Sequence, residues 1–154
     1  MLVIAVHFWE VVLAAHIAAI VIAFGVIFAY PVIYLCAAKL GPGAMPWYYR
    51  MRVLLGQRLI SPGLVLVLTA GIYLATYFHQ WKHFYVQWGV AVVVVIGGIG
   101  GAFLTPREKK LAELAERDIS GAEYKVLSKR VLIVDSLVLV LILATVYLMT
   151  VQAG

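Results

Sequence analysis

Residues 11–30 read VVLAAHIAAIVIAFGVIFAY, an apolar stretch without a single Lys, Arg, Asp or Glu. A helix of this length covers the hydrocarbon core of a bilayer, which is about 30 Å thick. The stretch carries one imidazole, His16, near its beginning. We therefore predict a first membrane span over about residues 10–30, with His16 below the lipid surface.

Three more apolar stretches have the length of a span, over about residues 62–78, 84–104 and 131–151. The chain is 65% hydrophobic and 12% charged, and that charged fraction is about half the usual value for a soluble domain. Because lipid offers no partners to backbone polar groups, isolated spans of this kind are helical. The sequence predicts an all-α, polytopic four-helix membrane bundle that forms a single domain over residues 1–154.

The basic residues predict the orientation. Every Lys and Arg except Lys82 lies between spans one and two or between spans three and four. The positive-inside rule then places both termini outside and the two basic segments in the cytoplasm. The net charge is +5, but its distribution indicates a multi-pass protein of the cytoplasmic (inner) membrane, and we expect no nucleic-acid partner. Arg50, Arg52 and Arg58 form a juxtamembrane cluster that is expected to contact anionic lipid headgroups.

The second basic segment has the pattern of a short amphipathic cytoplasmic helix over residues 106–119. Thr105 and Glu108 have the spacing of a capping box at its start, and Ser120 and Glu123 repeat that spacing before the fourth span. A carboxylate inside that span, Asp135, is expected to be neutralised by Arg58 or Arg130. Aromatic residues of an inner interfacial belt are predicted at Tyr30, Trp47, Tyr48 and Tyr49.

His16 is the principal candidate for function, because an ionisable ring at membrane depth is costly. Ala19 and Ala23 lie on the same helical face, and their small side chains leave space for a flat cofactor or for a neighbouring helix. In one interpretation the neutral imidazole ligates haem iron or another metal, or relays a proton. In the other, it bonds to a hydroxyl such as Thr76 or Tyr147 for packing alone. The sequence leaves both open.

A second, weaker constellation maps to the outer face. His7, Glu10 and His83, with His16, supply imidazole and carboxylate ligands of the kind that bind zinc or copper. The favoured interpretation is that they are ordinary polar residues at the membrane interface. His79 stands where the second span ends and is a less favoured cofactor ligand, as a second axial partner of His16.

The third span contains GGIGG at residues 97–101, where Gly97 and Gly101 are spaced for close contact between helices. The chain has no nucleophile motif, phosphate-binding loop, CxxC pair or HExxH. We therefore predict no catalytic residue, and enzymatic activity is not favoured.

The stretch from His16 through Gly25 to Tyr30-Pro31 resembles the first helix of a group of small bacterial four-helix membrane proteins. That group includes CopD-like copper-resistance proteins and the HemJ-like membrane protoporphyrinogen oxidases. The closest resemblance is to a predicted integral-membrane family of unknown function in the same group. It rests on the segments 103–107 and 111–118 and on the ending 147–154.

This resemblance implies that His16 takes part in binding haem or porphyrin, because His16 precedes Pro31 by the interval found in HemJ-like members. The lysine that those oxidases carry on a later span has no counterpart here, and Val32 stands where they have an arginine. We therefore predict a membrane protein that binds haem b or a related redox ligand. The alternative is a non-catalytic accessory or assembly subunit of a larger membrane complex or a homo-oligomer, with membrane lipids as further partners.

Overall fold

The computed structural model describes residues 7–152, with the side chain of Gln152 excepted, and is helical throughout its main elements. The α-helices are α1 (Phe8–Leu40), α2 (Met45–Leu55), α3 (Ser61–Tyr77), α4 (Phe84–Gly98), α5 (Thr105–Arg117) and α6 (Ala122–Gln152). Short 3₁₀ turns cover Pro42–Ala44 and Gln80–Lys82, and π-helical turns cover Gly56–Ile60 and Ile99–Leu104. Four continuous helical stretches are long and apolar enough to cross a membrane. The prediction of an all-α four-helix membrane bundle is confirmed.

Two of the four stretches each join two α-helices into one continuous helix. One runs from Pro42 to Tyr77 through α2 and α3, and the other from Phe84 to Arg117 through α4 and α5. The predicted cytoplasmic helix 106–119 is therefore the end of a longer helix. The capping box at Thr105 is wrong, because Thr105 has helical backbone angles and its hydroxyl donates to the carbonyl of Gly100.

Each π turn comes directly before a hydroxyl residue and a proline. Ser61-Pro62 follows the turn at Gly56–Ile60, and Thr105-Pro106 follows the turn at Ile99–Leu104. Proline removes one backbone donor and its ring clashes with the carbonyl four residues earlier. The wider π turn accommodates that clash without ending the helix. Each hydroxyl-proline pair therefore marks a change of pitch inside a continuous helix, and not the start of a new helix.

The bundle holds two groups of buried residues. In the membrane part, α1 packs against α3, where Ala23 is fully buried and lies opposite Gly63. A Cβ added at Gly63 would stand 3.0 Å from the Cβ of Ala23, so this crossing requires a glycine. The half of the bundle that contains the end of α1 is called the inner half after the predicted orientation. There, residues of α1, α2, α5 and α6 form a second core that includes Tyr48, Tyr49 and Tyr124.

Most of the residues predicted for the inner aromatic belt are buried inside the bundle. Tyr30, Tyr48 and Tyr49 are buried, whereas Trp47 is exposed. The helix α1 continues through Pro31 to Leu40.

The turn between α5 and α6 also differs from its predicted form. Ser120 donates from its hydroxyl and its backbone N–H to Asp118, and the hydroxyl bond lowers the pKa of that carboxyl group. Glu123 forms an ion pair with Lys110 at 2.5 Å. The predicted capping box of Ser120 and Glu123 is therefore replaced by two separate contacts that fix the turn.

Candidate functional site

His16 lies in the wall of a large, mostly apolar cavity in the half of the bundle where α1 begins, which we call the outer half after the predicted orientation. The cavity has a volume of about 660 Å³, is partly open, and is lined by α1, α3, α4 and α6. Its walls include Phe24, Val93 and Ile142. A volume of this size falls within the range of roughly 300–1,000 Å³ that is usual for small-molecule and cofactor sites.

The imidazole of His16 is held against a glycine of the neighbouring helix. A Cβ added at Gly71 of α3 would stand 3.0 Å from Cε1 of the ring. The Nδ1 atom of His16 is buried and has no hydrogen-bond partner among residues 7–152. A buried polar atom without a partner is costly. Because Nδ1 has almost no accessible surface, a ligand in the cavity would have to approach the imidazole at its other nitrogen, Nε2.

Neither hydroxyl that the sequence offered as a packing partner satisfies that nitrogen. Thr76 donates to the carbonyl of Ile72 and accepts from the indole of Trp81, while Tyr147 is exposed. The contact available to the ring within residues 7–152 is instead the backbone carbonyl of Val67 on α3, so packing alone would rest on a backbone acceptor and not on either hydroxyl.

The few polar groups around the cavity satisfy one another. Trp88 donates its indole N–H to the hydroxyl of Thr145 at 3.0 Å, and Thr145 donates to the carbonyl of Leu141. The phenol of Tyr85 donates to the side-chain carbonyl of Gln80. Tyr85 and Gln80 both line the cavity, and they stand at the end of the helices where the outer loop is formed. The cavity therefore has a polar edge toward the outer surface and apolar walls below it.

Ala19 and Ala23 serve the packing of helices. Both are buried, and the space beside them is taken by α3, where Gly63 faces the Cβ of Ala23 and the carbonyl of Ala19. Neither of the two forms part of the wall of the cavity that His16 lines. The sequence allowed their small side chains to make room for either a cofactor or a neighbouring helix. The structure shows that the neighbouring helix fills this room, which corrects their assignment to a cofactor site.

The other predicted ligands lie at the outer ends of the helices. Glu10 accepts a hydrogen bond from the backbone N–H of His7 at 2.9 Å, which caps the start of α1. His79 is exposed and has a left-handed backbone in the outer turn, and His83 precedes the first residue of α4. Among the residues the structure describes, no three His, Cys, Asp or Glu side chains converge as a metal site would require.

A cluster of charged residues lies in the inner half, around Arg52. The guanidinium group of Arg52 bonds both carboxylate oxygens of Asp135, at 2.6 and 2.8 Å, and lies 2.6 Å from Glu108. Arg52 is 4% exposed and Glu108 is 5% exposed. These contacts join α2, α5 and α6, so the cluster connects three helices through one buried cation.

Two tyrosines complete this cluster. The guanidinium carbon of Arg52 stands 4.3 Å from the ring centre of Tyr30 and 5.8 Å from that of Tyr48, which is cation–π geometry. The hydroxyl of Tyr48 accepts a hydrogen bond from Arg52 at 3.2 Å. We call Arg52, Glu108, Asp135, Tyr30 and Tyr48 the arginine cluster.

The arginine cluster corrects two predictions. Arg52 was expected at the lipid headgroups, and its burial is incompatible with that role, whereas Arg50 and Arg58 are exposed. The partner of Asp135 is Arg52, and not Arg58 or Arg130 as predicted.

The helical spacing of apolar residues around Glu108 and Asp135 could have predicted that these carboxylates face the interior of the bundle. Glu108 shares a face with the buried residues Leu111 and Ala112, and Asp135, which is half-buried, lies between the buried residues Val131 and Val138. Carboxylates on apolar faces of this kind need a buried cation.

Comparison of the chain with protein-family models, with curated proteins and with solved structures finds no match to any of them.

Proposed function

We propose that this integral membrane protein binds b-type haem, or a similar flat redox cofactor, at His16. The observation that carries the proposal is that the imidazole of His16 lies in the wall of a mostly apolar cavity of about 660 Å³ and is bonded by neither hydroxyl considered from the sequence. A neutral imidazole nitrogen is a common ligand of haem iron. We further propose that the site faces the outer side of a bacterial cytoplasmic membrane, which follows from the distribution of basic residues.

The chemistry of the cavity walls supports such a ligand. Phe24, Val93 and Ile142 offer apolar surface to the faces of a macrocycle. The polar edge of the cavity, at Gln80 and Tyr85, would receive the polar groups of the ligand near the outer interface. A bound haem would supply one-electron chemistry. The chain itself would hold the ring, fix its orientation and exclude water.

The test is the visible spectrum of the purified protein. Wild-type protein is to be expressed with a haem precursor, purified in detergent and, in parallel, supplied with haem after purification. We expect a Soret band and about one haem for each chain. His16→Ala is expected to abolish the band while far-ultraviolet circular dichroism stays helical.

His79→Ala is the matched control, because His79 is exposed and lies outside the described cavity wall. We expect it to retain the Soret band, and a loss in this variant would instead indicate ligation by two histidines. Wild-type protein without Soret absorption after reconstitution contradicts the proposal. Stable co-purification of such a haem-free protein with a larger membrane complex would then favour the accessory-subunit alternative.

A further inference from the structure

A second cavity lies in the inner half of the bundle, beside the arginine cluster. It has a volume of about 320 Å³, and Arg52, Glu108 and Asp135 form its polar end. Toward the middle of the membrane its wall is apolar and includes Leu68 and Val93, which also line the cavity of His16. The two cavities therefore share a wall, but only the inner one touches ionised side chains.

The inner cavity opens sideways between two membrane helices. Its lining includes Ser61 and Val65 on α3, and Val94 and Gly101 on the facing helix, and all four are exposed. In a membrane protein an opening at this position faces lipid. A Cβ added at Gly100 or Gly101 would meet no atom within 4 Å, so these glycines leave an open slot and make no close helix contact here.

Both π turns contribute to this slot. Gly56 and Ile60 line it from one turn, and Gly100, Gly101 and Leu104 line it from the other. Single π turns inside α-helices occur frequently at functional sites. Here they widen two facing helices at the level of the arginine cluster.

The polar end of the cavity lacks one hydrogen-bond acceptor. The terminal nitrogens of Arg52 are engaged by Asp135 and Glu108, but its buried Nε has no acceptor among residues 7–152. One cation already stands beside two carboxylates, so an anionic headgroup would be repelled. A neutral carbonyl oxygen would satisfy the free N–H without adding charge.

We propose that the inner cavity binds a flat, neutral, lipid-soluble molecule with a carbonyl oxygen on its ring, which is the chemistry of membrane quinones. The carbonyl oxygen accepts from Arg52, the ring occupies the slot beside Gly100 and Gly101, and an apolar tail leaves through the opening between α3 and α4. Glu108 supplies an acceptor for a hydroxyl of the reduced ring. The proposal concerns binding only and is independent of haem at His16.

The experiment uses haem-free, full-length protein in lipid nanodiscs and a photoreactive quinone analogue with a short alkyl tail. Labelled peptides are identified by mass spectrometry, and a non-reactive quinone of the same tail is added as competitor. We expect saturable, competed labelling of peptides that contain the two π turns. Gly101→Val is expected to raise the competitor concentration needed for half-inhibition by about tenfold or more.

Gly98→Val is the matched control, because Gly98 also has no neighbour within 4 Å but does not line the cavity. We expect it to leave the competition curve unchanged. A short-chain diacylglycerol, which has carbonyl oxygens but no ring, is expected not to compete. Labelling that the quinone does not displace, that Gly101→Val leaves unaltered, or that diacylglycerol displaces equally well overturns the proposal.

Discussion

The inner and outer halves of this bundle differ in how their polar groups are connected to one another. In the inner half, Arg52 gathers two carboxylates and two tyrosine rings into one buried cluster. In the outer half, His16 is the one side chain with a buried polar atom left without a partner, among the residues that the structure describes there. Each half therefore has one buried nitrogen without a partner among residues 7–152, Nδ1 of His16 and Nε of Arg52, but only in the inner half does it belong to an ion cluster that joins three helices.

A consequence of this difference is that the two halves should respond differently to substitution. Removing one member of a buried ion cluster leaves the others charged and unpaired, which is among the most destabilising changes known. Removing the imidazole of His16 takes away a group that no other side chain satisfies. We therefore expect stability to depend more on the inner half, and binding of the proposed haem to depend on the outer half.

Arg52→Met is expected to have the largest effect on stability. The change leaves Glu108 and Asp135 without a cation in a buried space, and removal of one partner from such a pair typically costs about 3–5 kcal/mol. The measurement is unfolding in mixed micelles of increasing SDS content, followed by tryptophan fluorescence. Arg50→Met is the control, because Arg50 lies on the same helix in an exposed ion pair with Glu116, where the loss should be at most about 1 kcal/mol.

A variant without any of the three charges checks the reason for that loss. Combining Arg52→Met with Glu108→Met and Asp135→Leu removes the unpaired carboxylates, and apolar replacement of a buried ion cluster is often neutral or stabilising. We expect this triple variant to be more stable than Arg52→Met alone. A triple variant as unstable as the single one would show that the cluster does not act through its charges.

Gly63→Val tests the close contact at which α1 and α3 cross. The added side chain would meet Ala23 at the crossing of α1 and α3, where even a Cβ stands 3.0 Å away. Overpacking of this kind typically costs about 1–3 kcal/mol. The same unfolding assay applies, with Gly25→Val as control because Gly25 on α1 has no atom within 4 Å of an added Cβ. Equal losses in both variants would assign the effect to helix propensity.

The sequence predicts the membrane spans well because hydropathy is a local property that needs no knowledge of partners. His16 could also be found locally, since an imidazole stands out in an apolar stretch. The arginine cluster could not be assembled in this way, because Arg52 and Asp135 are separated by 83 residues along the chain and their meeting depends on how the helices pack. The helix start predicted at Thr105 failed for a different reason: a proline inside a membrane helix was accommodated by a π turn, and the helix continued.

The polar contact beside the outer cavity should contribute least to stability. Thr145→Val removes the acceptor of the Trp88 indole N–H at almost constant volume. Hydrogen bonds between membrane helices average about 0.6 kcal/mol and reach about 1.7 kcal/mol, so we expect a loss within that range. Thr69→Val is the matched control, because the hydroxyl of Thr69 bonds only carbonyls of its own helix, Val65 and Leu66, within the described chain. A loss for Thr145→Val as large as that for Arg52→Met would remove the distinction between the halves, because a single neutral bond would then hold the bundle as strongly as the buried ions do.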